Sequence, residues 1–125
     1  SLLEDLGGQK SEKGETRGSD RIAIKSGGKV RLFRIEQIDW IEAADNYVNL
    51  RIGHESLLHR ETMSAMELRL PPAQFARISR STIVNLERIR ELQPLFHGDY
   101  VVILNDGTKL NLSRGYREKL NHLLG

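Results

Sequence analysis

From Arg21 onward the apolar residues come in short bursts, each closed by Gly, Asn, Asp or Pro. Ile22-Ala-Ile-Lys25 and Val30-Arg-Leu-Phe33 predict two strands joined by Ser26-Gly-Gly-Lys29, where glycine supplies the positive φ of a tight hairpin. Ile38-Asp-Trp-Ile-Glu42 predicts a third strand, and Tyr47-Val-Asn-Leu-Arg-Ile52 alternates with the period of two of a half-buried one. Gly53-His-Glu55 then turns the chain into Ser56-Leu-Leu-His59. Thr62 is placed to cap a short helix running to about Arg69, with Met63, Met66 and Leu70 inward and Pro71-Pro72 as its stop. Phe75 to Val84 reads as irregular, and Ile89-Arg-Glu-Leu92 as a further strand. Tyr100-Val-Val-Ile-Leu104 and Thr108-Lys-Leu-Asn-Leu112 flank Asn105-Asp-Gly107, a strong hairpin signal. Ser113 is placed to cap a final helix whose stripe is Tyr116, Leu120, Leu123 and Leu124. The pattern is mainly β with two short helices and no repeat of solenoid period.

Residues 7–20 contain no large apolar side chain and read as a flexible linker. The chain therefore divides into a linker or tail over 1–20 and one domain over 21–125. Leu2, Leu3 and Leu6 fit the end of a preceding helix, and the missing initiator Met fits a piece of a longer protein. No apolar run approaches the roughly 20 residues of a membrane span, and no signal peptide is visible. The absence of Cys excludes disulfides and thiolate metal sites and fits a cytoplasmic protein.

Charge changes the picture through its placement. The formal net charge is only +2, but the first twenty residues are net acidic, so the excess of cations lies in the domain. Most of those cations are Arg, whose planar fork suits phosphate and guanine. Catalytic and metal constellations are missing by contrast. The four His lack helical pairing with carboxylates, and there is no nucleophile elbow, dinucleotide loop or phosphate-binding loop. No catalytic residue, metal ligand or cofactor is assigned, and an enzyme is not expected.

Three polar junctions stand out instead. Arg77 and Arg80 lie in Phe75-Ala-Arg-Ile-Ser-Arg-Ser-Thr-Ile-Val-Asn85, beside the small hydroxyls of Ser79, Ser81 and Thr82. The bland alternative for these arginines is an ion pair with Glu67, Glu87 or Asp106. Arg114 and Arg117 open the last helix, where cations oppose the helix dipole and the free N–H groups attract phosphate. Asp45-Asn-Tyr47 is a polar turn whose Asn could read adenine or merely form the turn. A duplex is the ligand that suits all three, with an acidic protein partner on the same basic edge as the alternative.

The blocks Ile38-Asp-Trp-Ile-Glu-Ala-Ala-Asp-Asn-Tyr-Val48, Phe75 to Asn85, and Asn105-Asp-Gly107 with Leu112-Ser-Arg114 resemble the LytTR (LytR/AlgR-type) DNA-binding domain, in order and from about Arg21 to Leu124. The resemblance implies an elongated β fold of small, roughly parallel-stacked sheets, with loops entering successive major grooves. It implies the output domain of a two-component-type bacterial transcriptional regulator, an N-terminal receiver domain, and dimers on paired direct repeats of double-stranded DNA, which is bent. Carried over by position, it places base contacts at Asn46, Arg80 and Arg114, and backbone contacts at Tyr47, Arg77, Ser79, Ser81, Arg117 and Lys119. Many members have His where this chain has Ser79, a shorter and uncharged side chain.

Overall fold

The computed structural model describes residues 21–121, so Leu123 and Leu124 of the expected helical stripe lie outside the described residues. Among the described residues, ten strands form three antiparallel sheets. Strands β1 (Arg21–Ser26) and β2 (Lys29–Arg34) make the first, a simple hairpin. The second has five strands in the order β5-β4-β3-β7-β6. These are β3 (Ile38–Ala44), β4 (Tyr47–Ile52), β5 (Glu55–His59), β6 (Phe75–Ser79) and β7 (Thr82–Asn85). The third places β9 (Tyr100–Leu104) between β8 (Ile89–Pro94) and β10 (Lys109–Leu112).

Helix α1 (Met63–Arg69) is too short to persist alone. Thr62 Oγ1 accepts from the Ala65 N–H at 3.0 Å, and Met63 and Met66 are buried beneath it. The last element, Arg114–Leu120, is a 3-10 helix rather than the α-helix its apolar spacing suggests. Ser113 holds the N-cap position but makes no side-chain cap bond; the Asp99 carboxylate accepts from the Arg114 N–H at 2.9 Å instead.

Two apolar cores follow from strand alternation. One gathers Ile22, Ile24, Phe33, Ile38, Ile41, Leu50, Met66, Phe75 and Ile83 between the first sheet, α1 and one face of the five-stranded sheet. The other gathers Ala76, Ile78, Val84, Val102, Leu104, Leu112 and Leu120 between the opposite face, the third sheet and the final helix. Neighbours Ile83 and Val84 thus face different cores, and both are almost fully buried. The result is a stack of three small sheets, as the resemblance implies.

The stretch from Phe75 to Val84, irregular by sequence, is the β6–β7 hairpin. Its signal is hidden because the register shifts between Arg77 and Ser79, and because the connecting residues are Arg80 and Ser81 rather than Gly or Asn. A second unexpected feature is an internal echo. Ile35-Glu-Gln-Ile38 and Leu86-Glu-Arg-Ile89 each form a 3-10 turn leading into a strand with an early irregularity.

Asn85 ties these two turns together. It is 2% exposed and is the one buried polar side chain among the described residues. Its amide donates to the carbonyls of Ile38 at 2.8 Å and Glu36 at 3.3 Å, while its oxygen accepts from the Glu87 N–H at 3.0 Å. Removing it orphans buried groups on both turns. Asn85→Ala is therefore expected to lower unfolding free energy by about 1–3 kcal/mol. Asn85→Asp keeps the acceptor but loses the two donors, and should also destabilise. Urea denaturation followed by Trp40 fluorescence checks both.

Candidate nucleic-acid interface

Antiparallel register decides which turns share an end of the molecule. Ala44 pairs with Tyr47, so Asp45-Asn46 caps the β3–β4 hairpin, with Asp45 at φ 58°. Glu42 pairs with Thr82, and the Ala43 N–H donates to the Ser81 carbonyl at 2.9 Å. The Arg80-Ser81 turn therefore stands beside the Asp45-Asn46 turn. On the other side, the Ser113 N–H donates to the Ile78 carbonyl at 2.8 Å, which brings Arg114 to the same end. Sequence-distant Asn46, Arg80 and Arg114 are thus brought along one edge by β-sheet pairing. All three are exposed.

The sites differ in how free their side chains are. Among the described residues, Asn46 and Arg80 make no side-chain hydrogen bond or ion pair. Tyr47 is 42% exposed and follows Asn46 on the edge. Ser79 and Ser81 lie within the turn, where the Ser81 N–H donates to Ser79 Oγ at 3.2 Å.

Arg77 is a different case. Its side chain is 16% exposed and its guanidinium is fully engaged. It pairs with Glu67 at 3.3 Å, reaches Ser64 Oγ at 3.4 Å, and donates to the carbonyls of Ser79 at 3.3 Å and Arg80 at 2.5 Å. The alternative read from sequence, an ion pair with Glu67, is the geometry observed. Arg77 braces the turn that presents Arg80.

The final helix is also more occupied than its sequence suggests. The Arg114 N–H is taken by Asp99, so it is not a free phosphate donor. Arg114 Nη1 reaches the His97 carbonyl at 3.4 Å, and its aliphatic stem crosses Gly98, where an added Cβ would meet Cδ at 3.2 Å. Arg117 stacks over the Tyr100 ring at 5.5 Å, and Lys119 Nζ lies 3.8 Å from Glu67. A cavity of about 390 Å³ behind the Arg80 turn is lined by Glu67, Leu68, Phe75, Arg77, Ile83 and Lys119 among others.

Some residues at this edge were missed by sequence reasoning. Val48 pairs with His59, so exposed Arg60 emerges beside Tyr47. The Lys25 N–H donates to His59 Nδ1 at 3.2 Å, which brings the β1–β2 turn and Lys29 to the same end. Pairing register was the only available signal for either. The opposite end carries Glu36, Asp39, Glu87 and Asp106 around Arg88. The Thr108 backbone N–H donates to the Asp106 carboxylate and, with the Thr108 hydroxyl, holds its pKa below the ordinary value. The molecule thus has a cation-rich end and an acid-rich end. Among the described residues no three His, Cys, Asp or Glu side chains group as a metal site.

The model of the LytTr DNA-binding domain matches residues 28–125. This chain belongs to the LytTR family. The LytTR chain is 32% identical over 114 residues to the sensory transduction protein LytT of Bacillus subtilis strain 168, covering 91% of this chain and 47% of that protein. It is 27% identical over 104 residues to the transcriptional regulatory protein LytR of Staphylococcus aureus strain MW2, covering 83% of this chain and 42% of that protein. It spans about half the length of the curated relatives it matches. The LytTr domain of a methyl-accepting/DNA response regulator from Bacillus cereus superposes with a TM-score of 0.75 at 23% identity, over 86% of this chain and 99% of that one. The LytTR fold is thereby shown, and the family is one of DNA-binding domains.

The contrast between Arg77 and Arg80 is measurable without DNA. Arg77→Ala is expected to cost about 1 kcal/mol or more, since it leaves Glu67 and two carbonyls without their donor. Backbone amide exchange at residues 79–82 should accelerate with it. Arg80→Ala should stay within about 0.5 kcal/mol of wild type in a thermal melt.

Proposed function

We propose that the edge carrying Asn46, Arg80 and Arg114 binds double-stranded DNA sequence-specifically, as the output domain of a two-component-type regulator. The supporting observation is the freedom of Arg80, an unpaired guanidinium on a turn braced from below by Arg77. The braced turn needs no ordering on binding, the free fork has no internal partner to give up, and Arg pairs bidentately with guanine O6 and N7.

The Asp45-Asn46 and Arg80-Ser81 turns cap neighbouring strand pairs, two strand spacings or about 10 Å apart. That is close to the width of one major groove. The Arg114 site lies on the next sheet of the stack, a further step of about 10 Å. The edge is therefore long enough to follow the duplex as a series of loops, with base contacts from Asn46, Arg80 and Arg114. Tyr47, Ser79, Ser81, Arg117 and Lys119 supply backbone contacts, joined by Arg60 and Lys29. Arg77 acts through the turn it holds rather than on the duplex. Ser79, bonded to Ser81 within the turn, is shorter than the His common at its position and makes the weaker phosphate contact of the two. Dimers on paired direct repeats, loops in successive major grooves, bending of the site and a receiver domain ahead of residue 1 complete the reading.

Selection of bound duplexes from a random library, followed by anisotropy titration on the selected and a scrambled duplex, tests it. Arg80→Ala and Arg114→Ala should each weaken the selected duplex by about 1–3 kcal/mol and relax preference at one position. Arg60→Ala should weaken both duplexes alike and reduce the salt slope by about one. If neither duplex were bound while an acidic protein partner was, the edge would be a protein-interaction surface.

A further inference from the structure

The loop Leu95-Phe-His-Gly-Asp99 joins β8 to β9. Tyr100 pairs with Leu112, so the loop lies at the same end as Ser113 and Arg114, on the side of Arg114 away from Arg80. It carries Phe96, which is 86% exposed, more than any other aromatic residue among those described. Water-exposed aromatic rings forgo the burial that makes them worth carrying, so such exposure asks for a partner.

The main chain that carries the ring is held. The Leu95 N–H donates to the Asp99 carbonyl at 2.8 Å, and the Asp99 N–H to the Phe96 carbonyl at 3.4 Å. His97 takes a positive φ of 65° and Gly98 one of 86°, so the loop is a tight, defined bend. Asp99 and the His97 carbonyl both bind Arg114, whose stem lies across Gly98. The loop and Arg114 therefore form one unit, and a duplex that receives the guanidinium receives the ring beside it.

We propose that Phe96 is a further specificity-determining residue, making an apolar contact with a thymine C5-methyl next to the base read by Arg114. This rests on the DNA-binding reading above. Chemistry selects the methyl: a phenyl ring offers nothing to phosphate oxygens, and the thymine methyl is the apolar feature of the major-groove edge. Neighbouring base steps are about 3.4 Å apart along a strand, so a ring two residues from Gly98 reaches a base adjacent to the one Arg114 takes.

The test is a thymine-to-deoxyuridine scan of the selected duplex, which deletes one methyl at a time. With the wild-type chain, one position should lose about fourfold in affinity, the equivalent of one buried methyl group. In Phe96→Ala that position should become indifferent to the methyl, and Phe96→Leu should retain part of it. Unchanged thermal melting, expected at so exposed a position, shows that the variant is folded. If Arg80→Ala and Arg114→Ala weaken the selected duplex but no methyl deletion does, or if Phe96→Ala keeps the full methyl effect, the Phe96 assignment falls and the DNA-binding reading stands. If the wild-type chain shows no sequence preference at all, both fall.

Discussion

The structure depends on how β7 is seated against β3. This strand is buried on both faces, and its last residue, Asn85, bonds across to the turn that starts β3. A one-residue slip would exchange Ile83 and Val84 between the two cores and strip Asn85 of its acceptors. Such a slip loses burial on both sides and leaves polar groups unpaired, so the register has no close competitor. The same pairing sets how far the Arg80 turn projects beside the Asn46 turn at the other end of the sheet. Order at the acid-rich end of the molecule thus becomes spacing at the cation-rich end.

The division of labour between Arg77 and Arg80 shows why composition alone says little about recognition. Both are arginines in one short block, three residues apart. One is sunk against Glu67 and turned back on the chain, the other stands in water. The irregularity at the end of β6, between Arg77 and Ser79, is what separates them. A regular strand would have pointed Arg77 and Ser79 to one face and Ile78 to the other. The structure keeps Ile78 fully buried and folds Arg77 beneath the turn.

Much of this fold could be read along the chain where local chemistry and tertiary outcome agree. Ser26-Gly-Gly-Lys29 and Asn105-Asp-Gly107 turn where glycine permits, and Thr62 caps α1 as its position suggests. The failures occur where a distant group replaces the local signal. The β6–β7 hairpin has no turn glycine because Arg77 holds its carbonyls. The last helix is capped by Asp99, fifteen residues upstream, rather than by Ser113. Arg60 and the Leu95–Asp99 loop reach the edge only through strand pairing, which no local pattern records.

The brace beneath the Arg80 turn has a consequence for how such a domain could change its target. The turn takes its shape from Arg77 acting on main-chain carbonyls, not from any property of the residue at position 80. That position behaves like a socket: one side chain can be exchanged for another without remaking the backbone that presents it. Preference and foldability are thereby uncoupled at a single residue. Under the proposed reading, a lineage of such domains could drift from one operator to another through viable intermediates, because the residue proposed to read and the residue that holds are different amino acids.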